Sequence, residues 1–264
     1  MEYDPLKDRV AAWIRLFPTA RLLFYRLLDL LLLRQRYVKR CLRRYAPDLR
    51  NLRYHDAGAG FCQYSWHMLR AYPNCEVLAS DLKADYLESF ALLAQKRFPG
   101  RFSWQAADLQ NFAPEGKFDL ISAIDILEHI PDDEAVLRNF RDSLNPAGIL
   151  IISTPSDLDE AAQFTAEHVR PGYDKLALED KLRRSGFGIV ESLYSYGIWG
   201  SLAWRLLIKH PLSFWHKSKL SLLFLPLYLP CVYPLAEILM QIDLRVTNAR
   251  GTGLIVVARR DSKT

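Results

Sequence analysis

Asp56-Ala57-Gly58-Ala59-Gly60 joins a short apolar run to a stretch of helical periodicity. Glycines at such a turn let the backbone approach a ligand closely, and the helix that follows offers unpaired N–H groups to a carboxylate or phosphate. Alone the turn says little, because many tight turns carry two glycines. Asp81 closes the next apolar run, 25 residues beyond Asp56. A carboxylate at that place can accept hydrogen bonds from ribose hydroxyls. Asp108, followed by Leu109, lies just past the third run, where an acid can meet an adenine amino group. His129 ends the segment 118–130 and is the candidate general base, since an imidazole titrates near neutrality. The plainer alternative is that Glu128-His129 caps the helix that follows.

These side chains need elements to hold them. Residues 52–56, 76–80, 102–106, 118–124, 149–153, 188–196 and 253–259 read as seven strands. Between them, residues 61–72, 83–97, 133–144 and 173–184 have helical periods, stopped by Pro99-Gly100 or Ser185-Gly186. Asn145-Pro146-Ala147-Gly148 reads as a turn into a strand apolar on both faces. Such alternation predicts an α/β, doubly wound and mostly parallel sheet with helices on both faces.

Composition narrows the class. The 264 residues are half apolar and a quarter charged, which excludes disorder and low-complexity scaffolds. Four cysteines form no CxxC pair and have no histidine at metal-ligand spacing, so neither a disulfide framework nor a metal site is expected, and a reducing compartment is favoured. The first ten residues lack the basic-then-apolar order of a signal peptide, and a cytoplasmic location follows as the expectation. Charge is unevenly spread: residues 1–50 carry +7, residues 51–197 carry −8 and residues 198–264 carry +6. Both basic ends are rich in leucine and aromatic residues, a composition of membrane surfaces more than of nucleic-acid binders.

Taken together, the Asp56–Gly60 turn, Asp81, Asp108-Leu109, the segment 118–130, the 144–150 turn and strand, and Ser185-Gly186-Phe187 resemble the class I S-adenosylmethionine-dependent methyltransferases. The likeness is to the small-molecule branch that includes quinone and lipid methyltransferases, and it covers residues 50–197 with the last strand. It implies a Rossmann-like seven-stranded sheet whose last strand is antiparallel and inserted beside the sixth. S-adenosylmethionine would lie across the carboxyl ends of the first strands. The resemblance implies that Asp56, Gly58 and Gly60 form the acid-glycine motif, and that Asp81, with Leu82 beside it, holds the ribose. Asp108 and Leu109 would meet the adenine, and Asp125 the methionine part. The family's usual third glycine is absent, with Cys62 near its place; it mainly permits close helix packing. A NAD-type reading of the turn competes, but the acid at the strand end and the two further acids weigh against it. His168, in the segment 167–173, resembles the family's histidine-bearing segment facing the acceptor; it either orients the acceptor or fixes Arg170 and Tyr173.

The flanks bear on the substrate. Residues 19–45 read as one basic helix, part of an N-terminal helical cap over residues 1–50. The methyltransferase domain takes residues 51–197 and 250–264, and residues 198–249 form an apolar helical insert between strands six and seven. Within it, residues 220–236 are uncharged but contain Pro226, Pro230 and Pro234, so a broken apolar hairpin or lid is expected rather than a spanning helix. The implied partner is a lipophilic small molecule, with peripheral membrane contact on the inner face, no nucleic acid, and a possible homodimer. The alternatives are a soluble small-metabolite enzyme whose insert is a lid or dimer contact, and a non-catalytic cofactor-binding subunit of a membrane complex. Replacing residues 198–249 by a short turn is expected to leave a folded sheet that still binds the cofactor but no longer acts on the acceptor.

Overall fold

The computed structural model describes residues 18–47, 50–158, 169–211, 213 and 225–261. Two helices open the chain, α1 (Pro18–Leu31) and α2 (Leu33–Tyr45), followed by β1 (Leu52–Ala57) and α3 (Gln63–Ala71). The chain continues through β2 (Cys75–Asp81), α4 (Ala84–Arg97), β3 (Phe102–Ala106) and β4 (Phe118–Ile124). Next come a 3-10 turn (Leu127–His129), α5 (Asp133–Ser143), β5 (Leu144–Pro155), α6 (Lys175–Arg184) and β6 (Phe187–Ser195). The insert contributes α7 (Ile198–Trp204), a π-helical turn (Arg205–Lys209) and α8 (Leu225–Arg245), and β7 (Gly253–Arg260) closes the sheet.

The strand order is β3-β2-β1-β4-β5-β7-β6. Strands β1 to β5 pair in parallel, whereas β7 runs antiparallel between β5 and β6. The order reverses between β1 and β4, so a crevice opens at their carboxyl ends, as right-handed crossovers require of an open sheet. Buried apolar residues divide into two clusters, one on each face. Val136, Leu137, Phe140, Leu178 and Leu182 of α5 and α6 cover one face. The other is covered by α3 and α4 together with the flanks: Tyr37, Val38 and Leu42 of α2, Ala203 of α7, Leu207, and Ala236 and Met240 of α8. Each fully buried valine or leucine there stabilises by about 1.5–3 kcal/mol.

A buried carboxylate ties the flanks together. Asp243 of α8 accepts from the Tyr37 hydroxyl at 2.8 Å, from the Gly200 amide at 2.8 Å and from Asn248 Nδ2 at 3.3 Å. A Cβ at Gly200 would stand 2.6 Å from Leu33 and 2.9 Å from Asp243, so only glycine lets α7 come this close. At the other end of the cap, buried Arg21 of α1 donates to Ser89 of α4 at 2.6 Å and to the Phe61 carbonyl at 3.2 Å.

Three local expectations need correction. Residues 19–45 are two helices, because Leu32 takes an extended conformation (φ −109°, ψ 110°) and turns the chain. Residues 145–148 do not end the strand pairing but bulge out of β5, with Ala147 left-handed, while β4 pairs on both sides of them. Most plainly, the prolines of the insert do not break α8, which runs unbroken through Pro230 and Pro234. Proline costs a helix the bond to the carbonyl four residues back. Here Pro226, Pro230 and Pro234 are spaced by four and all exposed, so the missing bonds fall together on the open side.

Candidate functional site: the crevice at the ends of β1, β2 and β4

The glycine turn is pinned from two sides. The amides of Gly58 and Ala59 donate to the Ser80 carbonyl at the end of β2, at 2.8 and 3.0 Å. Gly58 is left-handed (φ +71°), and a Cβ there would meet Ile126 at 2.7 Å, so the turn is pressed against the connection after β4. Gly60, also left-handed, donates its amide to Asp81 Oδ2 at 2.8 Å, and its own Cβ position faces open space. Cys62, near the place of the usual third glycine, adopts φ +60° at the start of α3, a conformation that glycine would take more cheaply.

Each acid has a distinct setting. Asp56 points inward: its carboxylate accepts from the Ser65 amide (2.9 Å), the Ser65 hydroxyl (2.6 Å) and the Ser122 hydroxyl (3.4 Å). Burial pushes its pKa up to about 6 against the pull of those bonds. It thereby fixes the turn to α3 rather than facing the crevice. Asp81 accepts from Gly60 and, through Oδ1, from the Lys83 amide at 2.9 Å, which leaves each oxygen a second lone pair. Leu82 beside it is 55% exposed. Asp108 accepts from the Gln110 amide at 3.0 Å, which closes its own turn, and Leu109 behind it is buried. Asp125 ends β4 in a left-handed conformation, φ +50°, with its amide on the Ser153 carbonyl at 2.8 Å.

Arg34 of α2 forms an ion pair with Asp125, and its own amide donates to the Tyr196 hydroxyl at 3.0 Å. Arg34 Nε and the Tyr64 hydroxyl are both buried without a hydrogen-bond partner in the structure, although a buried polar group normally has one. The cap thus delivers a cation to the crevice beside an acid and two unsatisfied polar atoms. This arrangement fits the amino-acid end of S-adenosylmethionine, which carries one charge of each sign. Arg34, Tyr64 and Tyr196 were missed in the sequence. The signal for Arg34 was present: on a helical wheel it shares a face with Tyr37, Val38 and Cys41, all buried, whereas Arg36, Lys39, Arg40 and Arg43 lie opposite.

The two histidines differ. His129, half-buried, ends the 3-10 turn that follows Asp125, with its amide on the Ile126 carbonyl at 3.0 Å. Arg170 clamps this turn by donating to the carbonyls of Leu127 (2.7 Å), Ile130 (2.9 Å) and Pro131 (3.0 Å). Tyr173 braces it from Asp133 at 2.5 Å. Neighbouring Glu128 is buried, which raises its pKa, and it accepts from the Thr154 hydroxyl at 3.1 Å. His168 lies outside the described residues.

Comparison with known proteins agrees with this geometry. Residues 55–150 match a family model described as a methyltransferase domain. A trans-aconitate 2-methyltransferase of Rhizobium leguminosarum bv. trifolii is 30% identical over 163 residues, 60% of this chain and 62% of the relative. A second, from Azoarcus, is 30% identical over 105 residues, 40% of each chain. The chain thus spans about two to three fifths of the length of these curated relatives. Among solved structures, Haemonchus contortus phosphoethanolamine N-methyltransferase 2, in complex with S-adenosyl-L-methionine, superposes with a TM-score of 0.59 at 16% identity, covering 84% of this chain and 51% of that one. Residues 55–150 thus match a methyltransferase domain, and the strand order around them resembles that of the class I S-adenosylmethionine-dependent methyltransferases.

Proposed function

We propose that the protein transfers the methyl group of S-adenosylmethionine to a lipophilic small molecule, such as a quinone precursor, a polyketide-like ring or a lipid, at the cytoplasmic surface of a membrane. The cofactor part is carried by the crevice, where Asp81 and the ion pair of Arg34 with Asp125 flank the glycine turn. The acceptor part is carried by α7. This helix begins two residues after Tyr196 and turns Ile198, 77% exposed, with Trp199 and Leu202 to solvent beside the crevice.

When bound, S-adenosylmethionine supplies a methyl group on a positively charged sulfur. Asp81 would accept from the ribose hydroxyls, Asp108 with Leu109 would take the adenine, and Leu82 would cover its apolar surface. Arg34 and Tyr64 would hold the carboxylate of the amino-acid end, and Asp125 its ammonium. Transfer is an in-line displacement, so alignment of the acceptor supplies much of the rate, and exclusion of water assists. If the acceptor atom starts protonated, the His129 imidazole takes that proton as the new bond to carbon forms. His168 would orient the acceptor.

The test is calorimetric titration of S-adenosylmethionine, followed by transfer of a labelled methyl group into a lipid extract. Binding with transfer into the extract is the expected result, and absence of binding sinks the reading. A second reading, a soluble enzyme for a small acid, is favoured by the names of the trans-aconitate relatives. Methylation of a polycarboxylate in preference to any lipid would establish it. Fold alone does not decide for catalysis of methyl transfer: a [4+2]-cyclase, SpnF, superposes with a TM-score of 0.57 at 16% identity, covering 85% of this chain and 80% of that one.

A further inference from the structure

Helix α2 has two functional faces. Arg34 looks inward to the crevice, while Arg36, Lys39, Arg40 and Arg43 recur at spacings of three and four on the outer side. With Arg245 of α8 and Asp29 of α1 they line a groove between the three helices. Part of this charge is already matched. Arg36 forks onto Glu237 at 2.7 and 2.6 Å, Lys39 pairs with Asp29, and Arg40 donates to the Leu244 carbonyl. Arg43 and Arg245, both exposed, have no carboxylate partner among the described residues. Five cations against two acids leave the groove positive. Half-buried His67 has its pKa held down to about 4, first by desolvation and then by the charges of Lys39, Arg43 and Arg70.

A basic groove alone would suit many anions; the surfaces beside it narrow the choice. On α8 an outward stripe runs Leu227, Cys231, Pro234, Ile238, at spacings of four and three, and continues through Gln241 to Arg245 in the groove. Leu227 is 71% exposed and Ile238 56%. On α1, which gives Asp29 to the groove, Leu23, Leu27 and Leu30 are exposed at spacings of four and three. An apolar stripe leading into unpaired cations, as on α8, with exposed leucines on α1, matches an interfacial surface whose apolar side chains enter the acyl boundary while its arginines meet lipid phosphates. RNA would satisfy the cations but leave the leucines bare. α8 is long and apolar enough to cross a bilayer, with a mean hydropathy of 1.3. Yet Ala236, Leu239, Met240 and Asp243 are buried against the domain and Glu237 is paired, so its other side lies along a surface.

We propose that α1, α8 and the groove between them dock the protein on an anionic phospholipid bilayer, with lipid phosphates at Arg43 and Arg245. The purpose of the docking rests on the lipophilic-acceptor reading, although vesicle binding can be measured with no acceptor present. One helix then joins both jobs. Nine residues separate Arg34 from Arg43, about 14 Å of helix, so an acceptor dissolved in the bilayer would lie within reach of the crevice.

The experiment is flotation of the full chain with vesicles of phosphatidylglycerol and phosphatidylcholine in equal parts, against vesicles of phosphatidylcholine alone. Binding is expected to the anionic vesicles only and to weaken in high salt. Each arginine near such a surface contributes about fivefold to partitioning, so Arg43→Glu with Arg245→Glu should weaken it by at least about 25-fold. Ile238→Ser with Leu27→Ser should weaken it too. Both pairs are exposed, and unchanged melting curves and unchanged S-adenosylmethionine affinity would show intact folds. Equal binding to both vesicle types, full retention by the charge-reversed variant, or capture by inorganic phosphate, RNA or an acidic protein without vesicle binding would each overturn the proposal. A charge-reversed variant that leaves vesicles yet methylates a detergent-dispersed acceptor supports docking as a separate property. Vesicle binding by a protein that methylates nothing would sink the enzyme reading and leave the docking standing.

Discussion

The sheet with its carboxyl-end crevice and the two flanks are built on opposite principles. Residues 51–197 carry −8 and place Asp56, Asp81 and Asp125 at or just past strand ends, the last two at the mouth of the crevice. The flanks, at +7 and +6, join segments distant in sequence through Tyr37, Asp243 and Gly200. They also supply Arg34 to the very site the sheet presents. The difference teaches that the sheet sets the crevice by its strand order, while the flanks are held to it by long-range side-chain contacts; in the proposed function the flanks also bear on what is brought to the crevice.

Removing the insert breaks that comparison most severely. Replacing residues 198–249 by a turn is no longer expected to leave a folded sheet, because Ala203, Leu207, Ala236, Leu239 and Met240 belong to the same core as α2 and α3. Loss of a cooperative melting transition is the expected outcome. A folded product that binds cofactor would show the flanks to be a true accessory. Next in size is Gly58→Val, which combines a left-handed backbone with a 2.7 Å contact to Ile126. It should cost about 2–5 kcal/mol in chemical denaturation and abolish cofactor binding.

Asp81→Ala and Arg34→Ala sharpen the comparison, one from each region. Each removes a charge-assisted contact, so each should lower S-adenosylmethionine affinity by about 1.5–3 kcal/mol, roughly ten- to a hundredfold, by calorimetry. Wild-type affinity in Arg34→Ala would return the pocket to the sheet alone. A gradual effect, the smallest over any one unit of pH, is a slope in stability. Asp56 has a folded-state value of about 6, above its ordinary 3.8, through burial. The folded protein therefore binds this proton more tightly, and Asp56 erodes stability as pH rises from about 4 to 6, by at most about 1.4 kcal/mol per unit. Asp56→Asn should remove that slope; parallel pH profiles for the two proteins would disprove the assignment.

Much of the sheet was legible because its strands are short apolar runs ended by acids and glycines, as at Asp56 and Asp81. The crevice was legible in its acids but not in their orientation. Nothing in the order Asp-Ala-Gly says that Asp56 turns back to Ser65, since that depends on how β1 sits over α3. Arg34 was hidden among similar arginines until the buried face of α2 was known. The continuity of α8 was misread because a proline's cost depends on which side its missing bond faces, and that is a property of packing.

The bond from Tyr37 to Asp243 reaches across 206 residues. During synthesis, at about 5–20 residues per second, the first of these side chains waits about 10–40 s for the second. Strand β7, which also lies under α2, emerges later still. For that interval the apolar face of α2 has only the finished half of the sheet to rest on. The nascent chain therefore carries the buried face of α2 uncovered until α8 and β7 arrive.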